Sequence, residues 1–297
     1  MDISAASIVA RTISNATPLV IAGVGGIMCE HSGIVNIGVE GTMLTGAFAA
    51  AAGSFFTGNP WLGLLSGVTA AMLVSLLHAW LCVTLKLNHI ISGLAINIFA
   101  ASMTVYLLVV LWNSTGSSPA VPQLPLLFLP GAVKLPILGE LLQGVSVITL
   151  IGIPAVGAIY FILDQTAFGL HVIASGKNPL AAAVVGIRVK RVQYISVLIG
   201  GFCSGLAGGF LSISYLNIFV KNMTAGRGFI AIATIIFGRY NPAGVAAAGL
   251  FFGFLDALQM ALQGTVNIPP ELVQSIPYCI TILAVALASR AQRHGEN

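Results

Sequence analysis

Val192-Gln-Tyr-Ile-Ser-Val-Leu-Ile-Gly-Gly-Phe-Cys-Ser-Gly-Leu-Ala-Gly-Gly-Phe-Leu-Ser-Ile-Ser-Tyr-Leu216 lies in a stretch between Arg191 and Lys221 that contains no Asp, Glu, Lys or Arg. A run of about 20 such residues is what an α-helix needs to cross the hydrocarbon core of a bilayer. Charge-free runs also separate Glu40 from Lys86, Lys86 from Lys134, and Glu140 from Asp164. Only 7% of the 297 residues are charged, 57% are hydrophobic, and the mean hydropathy is +1.00. Those values lie far outside the range of a soluble domain of this length. The alternating ten-residue segments of a transmembrane β-barrel are absent. The chain therefore reads as an all-α, polytopic transmembrane helical bundle in one domain, 1–297.

Expected spans fall near 12–29, 33–55, 61–85, 89–112, 144–163, 192–216, 229–238 with 243–263 following, and 272–289. This gives about eight, within a range of eight to ten. Pro18 and the Gly23-Val-Gly-Gly26 run loosen the first. Phe229–Gly238 is too short to cross alone at 1.5 Å per residue. A broken or re-entrant helix is expected near 229–242, a form tolerated only where protein or a cavity covers its backbone. The first residues lack a basic region followed by a small-residue cleavage site, so no cleavable signal is expected.

Immediately upstream of the opening stretch lies a polar island, Ala174-Ser-Gly-Lys-Asn-Pro-Leu-Ala-Ala-Ala-Val-Val-Gly-Ile187, closed by Arg188, Lys190 and Arg191. Asn178 is a suitable N-cap, with Pro179 at the first helical position, where a missing N–H costs nothing. Ala181, Ala182 and Ala183 carry the helix, and Gly186 offers a place to stop it. Spacing alone fits two readings, a docking element or a plain loop that happens to be helical. Lys86, Lys177, Arg188, Lys190, Arg191, Arg290 and Arg293 fall on loops of one parity, against Lys134, Lys221 and Arg227 on the other. The excess places the 164–191 loop and the C-terminus in the cytoplasm, the N-terminus outside unless one early segment is re-entrant, and the proline-bearing segment 113–143 as an external loop. The net charge of +4 is thus a topology signal, not a nucleic-acid one.

Catalytic and metal chemistry find little support. Cys29, Cys82, Cys203 and Cys279 sit in or at the ends of apolar runs without metal-ligand spacing. The histidines form no His-Glu-x-x-His pattern, Ser204 has no base within motif distance, and no phosphate-binding Gly-x-x-x-x-Gly-Lys-Ser/Thr occurs. No metal or cofactor is expected, and the chain does not itself hydrolyse ATP. The small-residue runs Gly200–Gly209 and Gly244–Gly249 imply close helix packing.

Intramembrane polar residues are harder to set aside. Glu30-His-Ser-Gly-Ile-Val-Asn-Ile-Gly-Val-Glu-Gly41 places Asn36 and Glu40 near or inside the membrane, where a carboxylate costs several kcal/mol unless partnered. Glu40 is open to three roles: structural or gating, direct substrate contact, or an ordinary interfacial position. Asn97, mid-span in Gly93-Leu-Ala-Ile-Asn-Ile-Phe-Ala100, is open to an interhelical hydrogen bond.

Thr17–Gly26, Ser32–Gly41, Gly93–Ala100, Ala174–Ile187 and Gly228–Pro242 resemble permeases of bacterial ABC importers in the simple-sugar and nucleoside group, across most of residues 16–290. The chain is similar to the shorter of the two different permeases that pair in the nucleoside branch. This resemblance implies a second permease subunit, a cytoplasmic ATP-binding subunit and an extracytoplasmic substrate-binding protein, in the bacterial cytoplasmic (inner) membrane. It also implies that Asn178, Pro179, Ala181, Ala182, Gly186 and Ile187 belong to a coupling helix seated on the ATPase. Asn36, Glu40 and Asn97 stand as translocation or gating candidates. The rival is an ion-gradient-driven secondary transporter, for which Glu40 and Asp256 are the only plausible carboxylates and no paired broken helices are evident. A membrane-embedded enzyme lacks any nucleophile–base or metal constellation.

Overall fold

The computed structural model describes residues 5–127 and 145–263. Ten helices follow one another along them: α1 (Ala5–His31), α2 (Val39–Thr57), α3 (Pro60–Ala79), α4 (His89–Trp112), α5 (Val147–Gln165), α6 (Ala167–Lys177), α7 (Pro179–Val184), α8 (Val189–Phe210), α9 (Arg227–Phe237) and α10 (Pro242–Gln263). α3 and α8 each run on through a π-helical turn, Trp80–Thr84 and Leu211–Tyr215. The fold is all-α, as expected. The two-residue strands β1 (Leu126–Leu127) and β2 (Val145–Ser146) pair antiparallel at the foot of α5.

Six helices among the described residues are long and apolar enough to cross a membrane: Ile8–His31, Pro60–Thr84, His89–Trp112, Val147–Gln165, Val189–Tyr215 and Pro242–Leu262. The expected number was about eight. Two expected spans are not among the six, for separate reasons. The one placed at 33–55 begins only at Val39, since residues 32–38 are not helical, and the resulting α2 matches α5 in length but is less apolar. Its 19 residues include Glu40, three threonines and three glycines, and it is buried inside the bundle rather than presented to lipid. The span expected at 272–289 lies outside the described residues, as does the second half of the external loop 113–143. As the sequence leads one to expect, α9 is short: it has only 11 residues, about 15 Å of rise against the roughly 30 Å of hydrocarbon.

The bundle has an inner and an outer set. α1 and α8 are 78% buried along their spanning windows, whereas α4 is 22% buried. α2 packs between α3 and α8, where Gly46 meets Gly205: a Cβ on Gly46 would lie 3.0 Å from the Gly205 Cα. Such contacts hold helices together by dispersion, since lipid gives no hydrophobic drive. Polar ends are closed locally. Asn59, Asn88 and Ser146 accept backbone N–H bonds at the starts of α3, α4 and α5.

The two ends of the bundle differ in charge. At one end, Lys86, Lys177 and Arg188–Arg191 gather around α6 and α7. The turn joining α9 to α10 comes to the same end, because His31 Nε2 lies 3.0 Å from the Tyr240 carbonyl oxygen. Arg239 in that turn adds to the basic set. At the opposite end, residues 113–124 lie along the unwound continuation of α8. The N–H groups of Ser118, Val121 and Leu124 donate to the carbonyls of Phe219, Asn217 and Ile213 at 2.8–2.9 Å. Backbone groups that the broken helix would leave unpaired are thereby satisfied.

Candidate functional site

Asn36, Glu40 and Asn97 converge on one junction at the start of α2. Asn97, on α4, accepts a hydrogen bond from the Gly41 N–H at 2.7 Å and donates from Nδ2 to the Ile37 carbonyl at 3.0 Å. One amide side chain therefore caps α2 from a neighbouring helix, which has no side-chain cap of its own at Gly38. Asn36 accepts from the Gly38 N–H at 3.0 Å and shapes the turn into the helix. The connector between α1 and α2 is held by side chains from three other helices. His89 Nδ1 accepts from Val35 N–H, His78 Nε2 lies 3.4 Å from the Val35 carbonyl, and Gln193 Nε2 donates to the Ser32 carbonyl.

Glu40 is buried, 8% exposed, and reaches the N-terminus of α9. Its Oε1 accepts from Gly226 N–H at 2.8 Å and its Oε2 from Gly228 N–H at 2.6 Å. The carboxylate thus supplies the partners that the first turn of a helix lacks, and its charge meets the positive end of the helix dipole. Glu40 also lies in the first turn of α2 itself. Gly228 makes this approach possible, since a Cβ there would lie 2.5 Å from the Glu40 Cα. Depth follows from two independent rulers: eight residues of α4 separate His89 from Asn97, about 12 Å, and α9 spans about 15 Å from its basic-end turn. The junction therefore lies some way along the spanning helices from their basic ends.

Beside Glu40 stands a feature that sequence reasoning passed over. Arg227, counted above only as a loop cation, forms an ion pair with Asp256 of α10 at 3.5 Å. Gly226 and Gly228 were missed as well. The signal available was a pair of glycines flanking a single Arg before an apolar run.

The second candidate, α7, follows its start and stop signals. Asn178 Oδ1 accepts from Ala181 N–H at 3.0 Å, and Pro179 occupies the first helical position. Gly186 takes φ +88. Its N–H donates to Ala183 and that of Ile187 to Ala182, both at 3.0 Å, the paired bonds of a Schellman stop. One placement departs from expectation. Ala182 is 4% exposed and faces the bundle, while Leu180, Val184 and Val185 are 82%, 87% and 75% exposed. Of the three alanines in this six-residue helix, Ala182 alone packs inward, while Ala181 and Ala183 are exposed. Next to it runs a groove of about 710 Å³ lined in part by Ile34, Lys86, Leu180, Arg188 and Arg191.

Comparison with known proteins completes the picture. The family described as branched-chain amino acid transport system, permease component, matches residues 8–285. The guanosine ABC transporter permease protein NupQ of Bacillus subtilis is 34% identical over 94% of this chain and 90% of its own length. A putative glucose ABC transporter permease protein of Haloferax volcanii is 32% identical, covering 96% of this chain and 92% of its own. The nucleoside ABC transporter permease protein NupC of Lactococcus lactis is 33% identical, covering 94% and 91%. With a match of this extent and a bundle of apolar helices, the chain belongs to this permease family and is the multi-pass, membrane-spanning permease subunit of an ABC importer.

Proposed function

We propose that this permease imports nucleosides, with simple sugars as the alternative solute, and does so paired with a second, different permease. The observation that carries the reading is the near-full-length similarity to permeases named for guanosine and nucleoside transport. A cytoplasmic ATPase supplies the energy and an extracytoplasmic binding protein delivers the solute, in the cytoplasmic (inner) membrane with the basic end inward. The basic end carries the excess of Lys and Arg expected of the cytoplasmic side.

In this reading α7 is the coupling element, and Leu180, Val184 and Val185 are the side chains it offers to the ATPase. Three exposed aliphatics on a capped helix, ringed by cations, fit a protein groove better than water. The route inward is short. α6 and α7 adjoin at Asn178, α6 packs on the end of α1 near Gly33, and the 32–38 connector leads to Glu40 and so to α9. ATP-driven closure of the ATPase pulls on α7. The connector transmits the shift, and the Glu40-held end of α9 changes the access of the central path. Glu40 is the gating residue in this scheme, and Asn36 and Asn97 position it.

The test is uptake by the complete complex in proteoliposomes. Guanosine accumulation should require ATP and the ATPase, and should persist when ion gradients are collapsed with ionophores. Accumulation by this chain alone under an imposed proton or sodium gradient would overturn the proposal in favour of a secondary transporter.

A further inference from the structure

Arg227 and Asp256 form the one ion pair among the described residues, and it lies within the spanning region. Asp256 is 14 residues into α10, about 21 Å from the basic-end turn. The pair is loosely made. Arg227 Nη2 is 3.5 Å from Asp256 and Nη1 is 3.4 Å from the Met223 carbonyl, both near the outer limit of a hydrogen bond. Their side chains are 20% and 30% exposed. A guanidinium has five donors, and charges facing lipid with so little partnering would cost several kcal/mol. These two groups therefore face a polar space rather than hydrocarbon.

Other polar groups continue the strip. On α10, one turn beyond Asp256, Met260 accepts a weak bond from Asn15 Nδ2, and Asn15 Oδ1 accepts from the Tyr215 hydroxyl at 3.2 Å. Asn15 is buried, whereas the Tyr215 ring is partly exposed and lies against Phe210, with centroids 6.0 Å apart and planes inclined by 28°. Four elements, α1, the end of α8, α9 and α10, thus present an aromatic face, a carboxylate and a guanidinium along one side of the bundle.

We infer that Tyr215, Arg227 and Asp256 line the translocation path and recognise an uncharged ribonucleoside in transit, an inference that rests on the importer reading above. The chemistry is complementary group by group. Asp256 accepts hydrogen bonds from ribose hydroxyls, Arg227 donates to base carbonyl or ring-nitrogen acceptors, and the Tyr215 ring stacks on the base. The pair is neutral overall, which suits a solute without net charge.

The experiment uses the complex with its partner permease, ATPase and binding protein in proteoliposomes, in a Cys279→Ser background. Cys29, Cys82 and Cys203 are buried, so the background itself gives the blank. Asp256→Cys and, independently, Tyr215→Cys should react with a charged methanethiosulfonate reagent, and guanosine with binding protein should slow that reaction about tenfold. Glucose should not. In Asp256→Asn the ratio of guanosine to 2′,3′-dideoxyguanosine uptake should fall about tenfold, because the discriminating acceptor is weakened. Absence of labelling at both positions, protection by glucose alone, or an equal loss of uptake for both nucleosides each overturns the inference. If the unmodified complex fails to import guanosine with ATP present, the importer reading falls and this one with it. Normal ATP-driven import without labelling sinks only the assignment of the path.

Discussion

Glu40 shows how much one carboxylate can organise inside a membrane. Its two oxygens answer two backbone N–H groups of α9, so each substitution has a distinct expected cost. In Glu40→Gln the amide oxygen keeps one N–H, but the NH₂ group meets the other, donor against donor. A buried unpaired donor costs about 1–3 kcal/mol. The lost charge at the helix N-terminus adds about 0.3–1 kcal/mol. The purified complex should therefore melt at a lower temperature than wild type, and uptake per inserted permease should fall. Glu40→Ala should lose more, since both donors are then unpaired. Uptake and melting equal to wild type in Glu40→Gln would remove the gating role. Gly228→Ala should show the same defect from the other side, by pushing its Cβ into the Glu40 backbone. Asn97→Asp should be no milder, since it keeps the acceptor for Gly41 N–H but loses the donor to the Ile37 carbonyl and adds a second carboxylate to the junction. The sequence made Glu40 and Asn97 conspicuous because they are polar inside apolar runs. It could not reveal what they hold, because the partners of Glu40 are 186 and 188 residues away and are backbone atoms. A backbone donor leaves no mark on residue identity, except for the glycines that let a side chain come close.

The short helix α7 lies at the other extreme of legibility. Its start and stop are local, so Asn178, Pro179 and Gly186 announced them, and each does in the structure what its chemistry suggests. Its outward face was not legible. Six residues are under two turns, too few for a periodic pattern, and alanine is equally at home buried or exposed. Ala182 is buried against the bundle and leaves no room for a long charged side chain. Ala182→Glu should unseat α7 from the bundle and lower the yield of folded permease. Leu180→Ser with Val184→Ser should leave insertion and thermal stability near wild type. The ATPase recovered with the permease should fall about tenfold, as loss of two apolar anchors at an interface would give. Equal ATPase recovery in that double variant would exclude this face from coupling. Gly186→Ala should cost about 1–2 kcal/mol of local stability, the penalty for a side chain in the left-handed region.

At the scale of the whole molecule, charge-free runs located the crossing helices, because the demand of hydrocarbon on composition is close to absolute. The same logic failed for α2, which is sheltered by other helices and is free to carry Glu40, threonines and glycines. Composition reports contact with lipid, and α2 has little. Orientation is the property that charge governs most directly, and Arg239 adds to the cations of the basic end through the contact of His31 with Tyr240. A single crossing pattern must therefore satisfy two sites at once. Val184 is exposed on α7 at the basic end, and Thr115 is exposed at the opposite end, where Gly116 pairs with Lys221. With Cys279 replaced, Thr115→Cys should be labelled by an impermeant thiol reagent added to intact cells. Val184→Cys should stay unlabelled until the membranes are inverted or opened, and the ATPase should then protect it. The two results are coupled through α8, which begins beside α7 and ends under residues 113–124, so that one crossing separates them. Labelling of Val184→Cys from outside would invert the whole bundle, and with it the side from which ATP drives transport.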